Sequence, residues 1–182
     1  MNKQLDNLSD EALMERFVQT RSAKYYEKLY LRYFVVLCRY VQWLSGASEL
    51  AKDVAQTIFV QIFAKPTLFD PSQNFKVWLF TLARNRMRNE WRNAAVRAQH
   101  APRIAQHLDV LATQTRTFPV AQTLAVEQAM QQLSEPHQEV LALKYSSNFT
   151  IPEISDILGC SQGTVKSRLF YAIQQLRKHL NQ

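Results

Sequence analysis

Glycine is scarce in this chain of 182 residues, which holds three, beside six prolines. An all-β fold needs such residues for its many turns, so their scarcity favours helices. Cysteine is as rare. Cys38 and Cys160 are the only two, and each lies within an apolar helical pattern. That excludes the disulfide framework of a small secreted domain and predicts buried structural thiols. No apolar run approaches the ~18 residues of a membrane span, and the polar opening Met1–Ser9 does not resemble a signal peptide. The expected compartment is the cytoplasm, with no membrane insertion.

Catalytic equipment is also missing. The four histidines, His100, His107, His137 and His179, are scattered, and no pair of them has metal-ligand spacing with a cysteine or carboxylate. Nor is there a glycine-rich phosphate loop or a nucleophile elbow. The sequence therefore predicts no catalytic residue, no metal, no cofactor and no enzymatic activity. What is short in one place only is acid. Residues 61–120 hold nine basic and three acidic side chains, which accounts for +6 of the net charge of +7. A basic excess confined to one segment looks like a binding face for an anionic partner.

Hydrophobic residues make up 47% of the chain, enough for a real core. Ser9 can cap a short helix through about Thr20, and a longer pattern runs from about Ser22 to Leu44 until Ser45-Gly46 ends it. The next helix, which Ser48 can cap, carries Leu50, Val54, Ile58 and Ile62 at spacings of four, with Phe59 and Phe63 widening the stripe. Pro66 and Pro71 mark a loop from Lys65 to Asn74. A helix from Phe75 to about Gln99 then buries Trp78, Leu79 and Leu82. Periodicity weakens from His100 to about Thr117, where the sequence predicts a linker between two helical domains.

Beyond the linker, helices are expected over 120–133 and again from Ser134-Glu135-Pro136, an N-cap followed by a first-turn proline. Thr150 and Glu153 match a capping box, Gly159 makes a turn, and Ser161 caps a last helix. On that helix Val165, Leu169, Ala172, Ile173 and Leu176 share one face. The pattern is a helix-turn-helix. The opposite face of the second helix carries Ser167, Phe170 and Tyr171, flanked by Lys166 and Arg168, with Thr164 near its N-terminal edge. Small and hydrogen-bonding groups there suit a major groove, and basic margins suit phosphates. A merely solvated polar face would leave two adjacent exposed aromatics, Phe170 and Tyr171, without a partner.

A second basic surface lies on the helix after the proline loop. Arg84, Arg88 and Arg92 recur every four residues beside Asn85, Asn89 and Arg86. A solvated helix face would carry more acid partners at i,i+4 than the single local Glu90. Phe69 and Phe75, in and near the loop, add rings that could stack on unpaired bases.

These features, in this order, resemble a bacterial extracytoplasmic-function (ECF) sigma factor of the sigma-70 superfamily over about nine-tenths of the chain. Leu29-Tyr30-Leu31-Arg32-Tyr33 resembles the family's first helical block. Asp53-Val-Ala-Gln56-Thr-Ile-Phe59 resembles its D-x-x-Q-x-x-F helix. Phe75-Lys-Val-Trp78-Leu79-Phe-Thr-Leu-Ala83-Arg84-Asn85 resembles its W-L-x-x-I-A-x-N helix, with Leu82 in place of the usual isoleucine. Leu133-x-x-Pro136-x-x-x-Val140-Leu141 and the run Gly159 to Leu169 resemble its C-terminal domain.

The resemblance implies an all-α fold of two small domains, a region 2-like unit over 1–99 and a region 4-like helix-turn-helix unit over 120–182, joined by a linker at 100–119. It implies a non-enzymatic factor that binds core RNA polymerase, through the beta-prime clamp and the beta flap, and directs it to promoter DNA. Asp53, Gln56 and Phe59 would dock on polymerase. Phe69, Asn85 and Asn89, with Arg84 and Arg88, would meet the minus-10 element. Thr164, Lys166, Ser167, Arg168, Phe170 and Tyr171 would read the minus-35 element. An anti-sigma factor is a possible further partner. Two other classes compete: a dimeric duplex-binding regulator of the two-component or quorum type, and a sequestering protein. The first lacks an α/β receiver or ligand-domain pattern in the N-terminal half, and the arginine stripe argues against the second.

Overall fold

A computed structural model describes residues 3–100, 126 and 128–180, and all regular structure among them is helical. The expected linker lies outside the described residues apart from His100, as does half of the expected helix over 120–133. The N-terminal half begins with a short α1 (Lys3–Asp6), then α2 (Asp10–Thr20) and the long α3 (Ala23–Ser45). Helix α4 (Ser48–Ala64) and a 3-10 turn (Pro66–Leu68) lead to α5 (Phe75–His100). In the C-terminal half α6 (Glu135–Leu141) passes into a π-helical turn (Ala142–Ser146), followed by α7 (Ile151–Leu158) and α8 (Gln162–Leu180).

The helix ends follow local chemistry. The Ser9 hydroxyl accepts the Ala12 N–H and starts α2, as its position predicts. Gly46 closes α3 with φ +69°, a left-handed conformation that a side chain would strain. A Cβ there would also come within 3.3 Å of the Gln131 side chain. Ser48 opens α4 without acting as its cap, because Ala47 holds that position. Ser134 stands at the N-cap of α6 but makes no side-chain capping bond.

Thr150 and Glu153 form the expected reciprocal capping box on α7. Burial alone would raise the Glu153 carboxyl, but the Thr150 amide and hydroxyl donate to it and hold it below the ordinary carboxylate value. Its contribution to stability is therefore complete at neutral pH and is lost as pH falls through that lowered value. Thr150→Ala should cost about 1 kcal/mol, read as a lower urea midpoint for the C-terminal half at pH 7. The deficit should shrink once Glu153 is protonated.

One continuous core unites both halves. Leu13, Phe17, Leu29, Leu37, Ile58 and Leu79 are buried in the first; Val140, Leu143, Ile154, Ile157 and Val165 are buried in the second. Each such aliphatic or aromatic side chain contributes roughly 1.5–3 kcal/mol through burial. The motif block at 29–33 has a structural use. Arg32 binds the Asp10 carboxylate at 2.6 Å and the Leu8 carbonyl at 3.0 Å, and the Tyr33 hydroxyl donates to the other Asp10 oxygen. Burial and that carboxylate push the Tyr33 phenol upward, so it stays a donor. The two cysteines differ from expectation in being half-buried rather than enclosed.

The halves lie against each other. Phe80 of α5 meets Phe149 edge-on with centroids 4.8 Å apart, and the Lys76 ammonium sits 4.1 Å from the Phe149 ring centroid. Lys76 also donates to the Ser147 carbonyl at 3.2 Å, and the Gln131 amide donates to the Trp43 carbonyl at 3.2 Å.

Candidate nucleic-acid interface

The helix-turn-helix is built from α7, Gly159 and α8. Gly159 takes φ +63°, turning the chain within one residue, and its N–H bonds to the Ser155 and Asp156 carbonyls. Ser161 then caps α8 by accepting the Thr164 N–H at 3.1 Å. Val165 and Ala172 are buried, with Leu169, Ile173 and Leu176 packed against the same core. That seating leaves Lys166, Ser167, Phe170 and Tyr171 facing out, as the helical period predicts. Phe170 and Tyr171 are 58% and 55% exposed and touch only edge-to-face, at 5.4 Å. Two of the predicted residues are partly occupied. The Thr164 hydroxyl lies 2.9 Å from that of Ser161, and the Ser167 hydroxyl donates back to the carbonyls of Gly163 and Thr164. Arg168 is half-exposed and folds toward the turn, 4.0 Å from the Cys160 sulfur.

Helix α5 is started by two side chains. Asn74 accepts the Val77 N–H at 2.9 Å, and Glu11 reaches from α2 to accept the Phe75 N–H at 3.0 Å. Its inner face buries Leu79, Phe80, Ala83 and Met87. Asn85, Arg88, Asn89 and Arg92 stand on the outer side, and with Trp91 and Glu135 they line an open cleft of about 630 Å³. Arg86 pairs loosely with Glu90 at 3.6 Å, on the edge nearer α4.

Several expectations for this half need correction. Phe69 is 3% exposed and packs on Phe75 and Trp78 at 5.3 and 5.1 Å. The ring is held as core, because a short loop between two helices gains more by burying a phenyl group than by presenting it to water. Phe75 is likewise fully buried, while Trp78 and Leu82 are only half-buried. Arg84 does not stand in a free basic row. Its guanidinium binds the Glu139 carboxylate of α6 at 2.9 Å, with side-chain exposures of 13% and 5%, and also reaches the Ile157 carbonyl.

On α4, Asp53 and Gln56 are exposed on the outer face, beside Thr57 and within reach of Arg86 and Glu90. Phe59 is not with them. It is 1% exposed and packs among Tyr26, Tyr30 and Phe34, so its place in the D-x-x-Q-x-x-F pattern is the hydrophobic anchor of the helix. The Tyr26 hydroxyl fastens the same turn by donating to the Phe59 carbonyl at 3.0 Å.

Sequence patterns alone missed the contact between halves. Glu139 sits in the run Glu-Val-Leu-Ala-Leu and is buried with it, although a carboxylate there breaks the apolar pattern. An acid inside a buried stretch signals a cationic partner, but nothing local identifies Arg84 as that partner. Among the described residues no group of three or more His, Cys, Asp or Glu is placed to hold a metal ion, and no helix is long and apolar enough to cross a membrane.

Comparison with known proteins agrees with this geometry. The family model for sigma-70 region 2 matches residues 29–97, and that for sigma-70 region 4 matches residues 129–178. The ECF RNA polymerase sigma factor SigL of Mycobacterium tuberculosis is 32% identical over 160 residues, covering 85% of this chain and 88% of that protein. The ECF RNA polymerase sigma factor SigW of Bacillus subtilis is 27% identical over 145 residues, covering 74% and 78%. Among solved structures, the sigma factor RpoE in complex with the anti-sigma factor NepR from Bartonella quintana shares the fold with a TM-score of 0.76 at 24% identity, over 88% of this chain and 98% of that one. CnrH in complex with the cytosolic domain of CnrY does so with a TM-score of 0.72 at 22% identity, over 94% and 97%. An all-helical chain with both region models in order, and a relative of that similarity along most of its length, belongs to the ECF RNA polymerase sigma factors, non-enzymatic proteins of the sigma-70 type that direct promoter-specific initiation of transcription.

Proposed function

We propose that the two exposed polar faces divide promoter recognition between them. The outward row of α8 enters the major groove of the minus-35 element, with Ser167, Phe170 and Tyr171 toward base edges, Lys166 and Arg168 at the phosphates, and Thr164 fixing the N-terminal turn. The outer side of α5 meets the minus-10 element through Asn85 and Asn89, with Arg88 on the backbone. Asp53 and Gln56 dock on the beta-prime clamp of core polymerase, with Phe59 supporting the helix from beneath, and the C-terminal unit meets the beta flap. On this reading the chain divides into units over 1–99 and 120–182 joined through 100–119, and it works in the cytoplasm. An anti-sigma factor is a fitting regulator, as the RpoE neighbour is bound to one.

The observation that carries the minus-35 assignment is the adjacent exposed pair Phe170 and Tyr171 on a helix whose opposite face is core. Apolar edges of that kind suit a thymine methyl, and neighbouring hydroxyls suit either base of a pair. The test is run-off transcription with purified core polymerase and a promoter library. Ser167→Ala and Tyr171→Ala should change which upstream bases are preferred. Arg168→Ala should weaken all promoters alike and lower the slope of log affinity against log salt by about one unit. Parental base preference in both of the first two variants would remove the assignment.

A further inference from the structure

Two arginines and a carboxylate share the cleft beside α5 without meeting. Arg88 and Arg92 come from α5 and Glu135 from α6, and all three are exposed. Among the described residues, neither arginine has a carboxylate within 4.0 Å. The acids nearest in sequence are engaged elsewhere, Glu139 with Arg84 and Glu90 with Arg86. The gap therefore leaves both kinds of charge available to a third group.

The rest of the lining suits a nucleotide. Trp91 is half-buried, packed against the core while it lines the cleft, so its ring is a fixed platform on which a base can stack. Asn85 has an acceptor and two donors for a base edge. Asn89 accepts from Arg92 at 3.1 Å, and Arg92 keeps further N–H groups for a phosphate. The volume of about 630 Å³ falls within the ~300–1,000 Å³ of small-molecule sites. We infer that this cleft binds a free ribonucleoside diphosphate as an effector. Its phosphates lie on Arg88 and Arg92, its base on Trp91 with an edge to Asn85, and its ribose hydroxyls donate to Glu135.

Glu135 decides between the two sources of that chemistry. A DNA strand carries a phosphodiester on both sides of each sugar, which a carboxylate repels, and its deoxyribose has no 2′-hydroxyl. A free ribonucleotide has phosphate at one end only and presents two adjacent hydroxyls at the other. Contacts from side chains, without a glycine-rich phosphate loop, hold such a ligand and transfer no group.

The inference shares Asn85 and Arg88 with the minus-10 reading and rests on that reading only for competition. Full-length protein is titrated with adenosine diphosphate, its 2′,3′-dideoxy analogue and pyrophosphate, by calorimetry and tryptophan fluorescence, and then with a labelled minus-10 single strand. Adenosine diphosphate should bind and quench, and the dideoxy analogue should bind roughly tenfold more weakly, as expected for lost hydrogen bonds to a charged group. Glu135→Gln should remove most of that preference, and Arg88→Gln should weaken both ligands. Trp91→Phe keeps a ring for stacking, so it should lose the quench and little affinity, with helix content unchanged. Binding of adenosine diphosphate weaker than about 1 mM overturns the site, as does equal binding of pyrophosphate. A ribose preference that survives Glu135→Gln, or a quench that survives Trp91→Phe, overturns the assigned pose. Equal binding of the two nucleotides, with the strand bound more tightly than either, returns the cleft to the promoter alone. Nucleotide binding that fails to displace the strand keeps the effector site and detaches the minus-10 element from Asn85 and Arg88.

Discussion

Replacing Phe69 by alanine is expected to destabilise the N-terminal half by about 3–5 kcal/mol, the usual cost of emptying a buried phenylalanine site. The ring is enclosed by Phe75 and Trp78, next to the first turn of α5. Its loss opens a cavity at the point where Glu11 and Asn74 hold the N-terminus of that helix. Urea unfolding followed by tryptophan fluorescence should register the change, since Trp78 is in direct contact. Phe69→Leu fills most of the volume and should recover most of the stability and most of the transcription. A ring that stacks on an extruded base would behave otherwise: alanine would spare stability and reduce promoter opening, and leucine would rescue neither. Unchanged stability in Phe69→Ala would show that the ring is not core and return it to the promoter.

Removing the two amides of α5 is expected to act on function instead. Asn85 and Asn89 are exposed one turn apart, and neither supports the core. Asn85→Ala with Asn89→Ala should leave the unfolding midpoint within about 0.5 kcal/mol of the parent, as surface changes usually do. Each lost hydrogen bond to a base contributes ~0.5–1.5 kcal/mol. The pair should therefore lower the open-complex population roughly tenfold. Closed complexes should still form, because the proposed upstream duplex contacts belong to α8. Permanganate reactivity of the minus-10 thymines should fall, and a pre-melted promoter should recover much of the lost transcript. Normal permanganate footprints in the double variant would detach α5 from promoter opening.

The contrast between these residues shows which parts of the molecule were legible in the sequence. The helix-turn-helix was readable because its signals are local: the Thr150–Glu153 capping box, the left-handed Gly159 and the Ser161 cap each act within four residues. The outward faces of α8 and α5 followed from helical period, and Ser167, Phe170, Tyr171, Asn85 and Asn89 stand where that period puts them. Period did not distinguish a free cation from a paired one. Arg84 and Asn85 are neighbours in sequence, yet Arg84 is fixed by a carboxylate 55 residues away and Asn85 is not. The same limit applied to Phe69 and Phe59, whose burial depends on aromatic neighbours from other helices. The π turn after α6 was missed because the run Ala-Leu-Lys-Tyr-Ser has ordinary helical composition and no breaker.

The placement of Asn85 and Asn89 also sets a length. Four residues of α-helix advance about 6 Å, whereas successive nucleotides of a stacked strand advance about 3.4 Å. For a strand laid along α5, the two amides are spaced for nucleotides two steps apart in a stacked duplex, or for neighbours whose stack has been drawn open. Helix α5 contains no glycine or proline at which this interval could be adjusted. The helix is a ruler with one fixed interval, which spans two steps of a stacked strand or a single step of a strand drawn open.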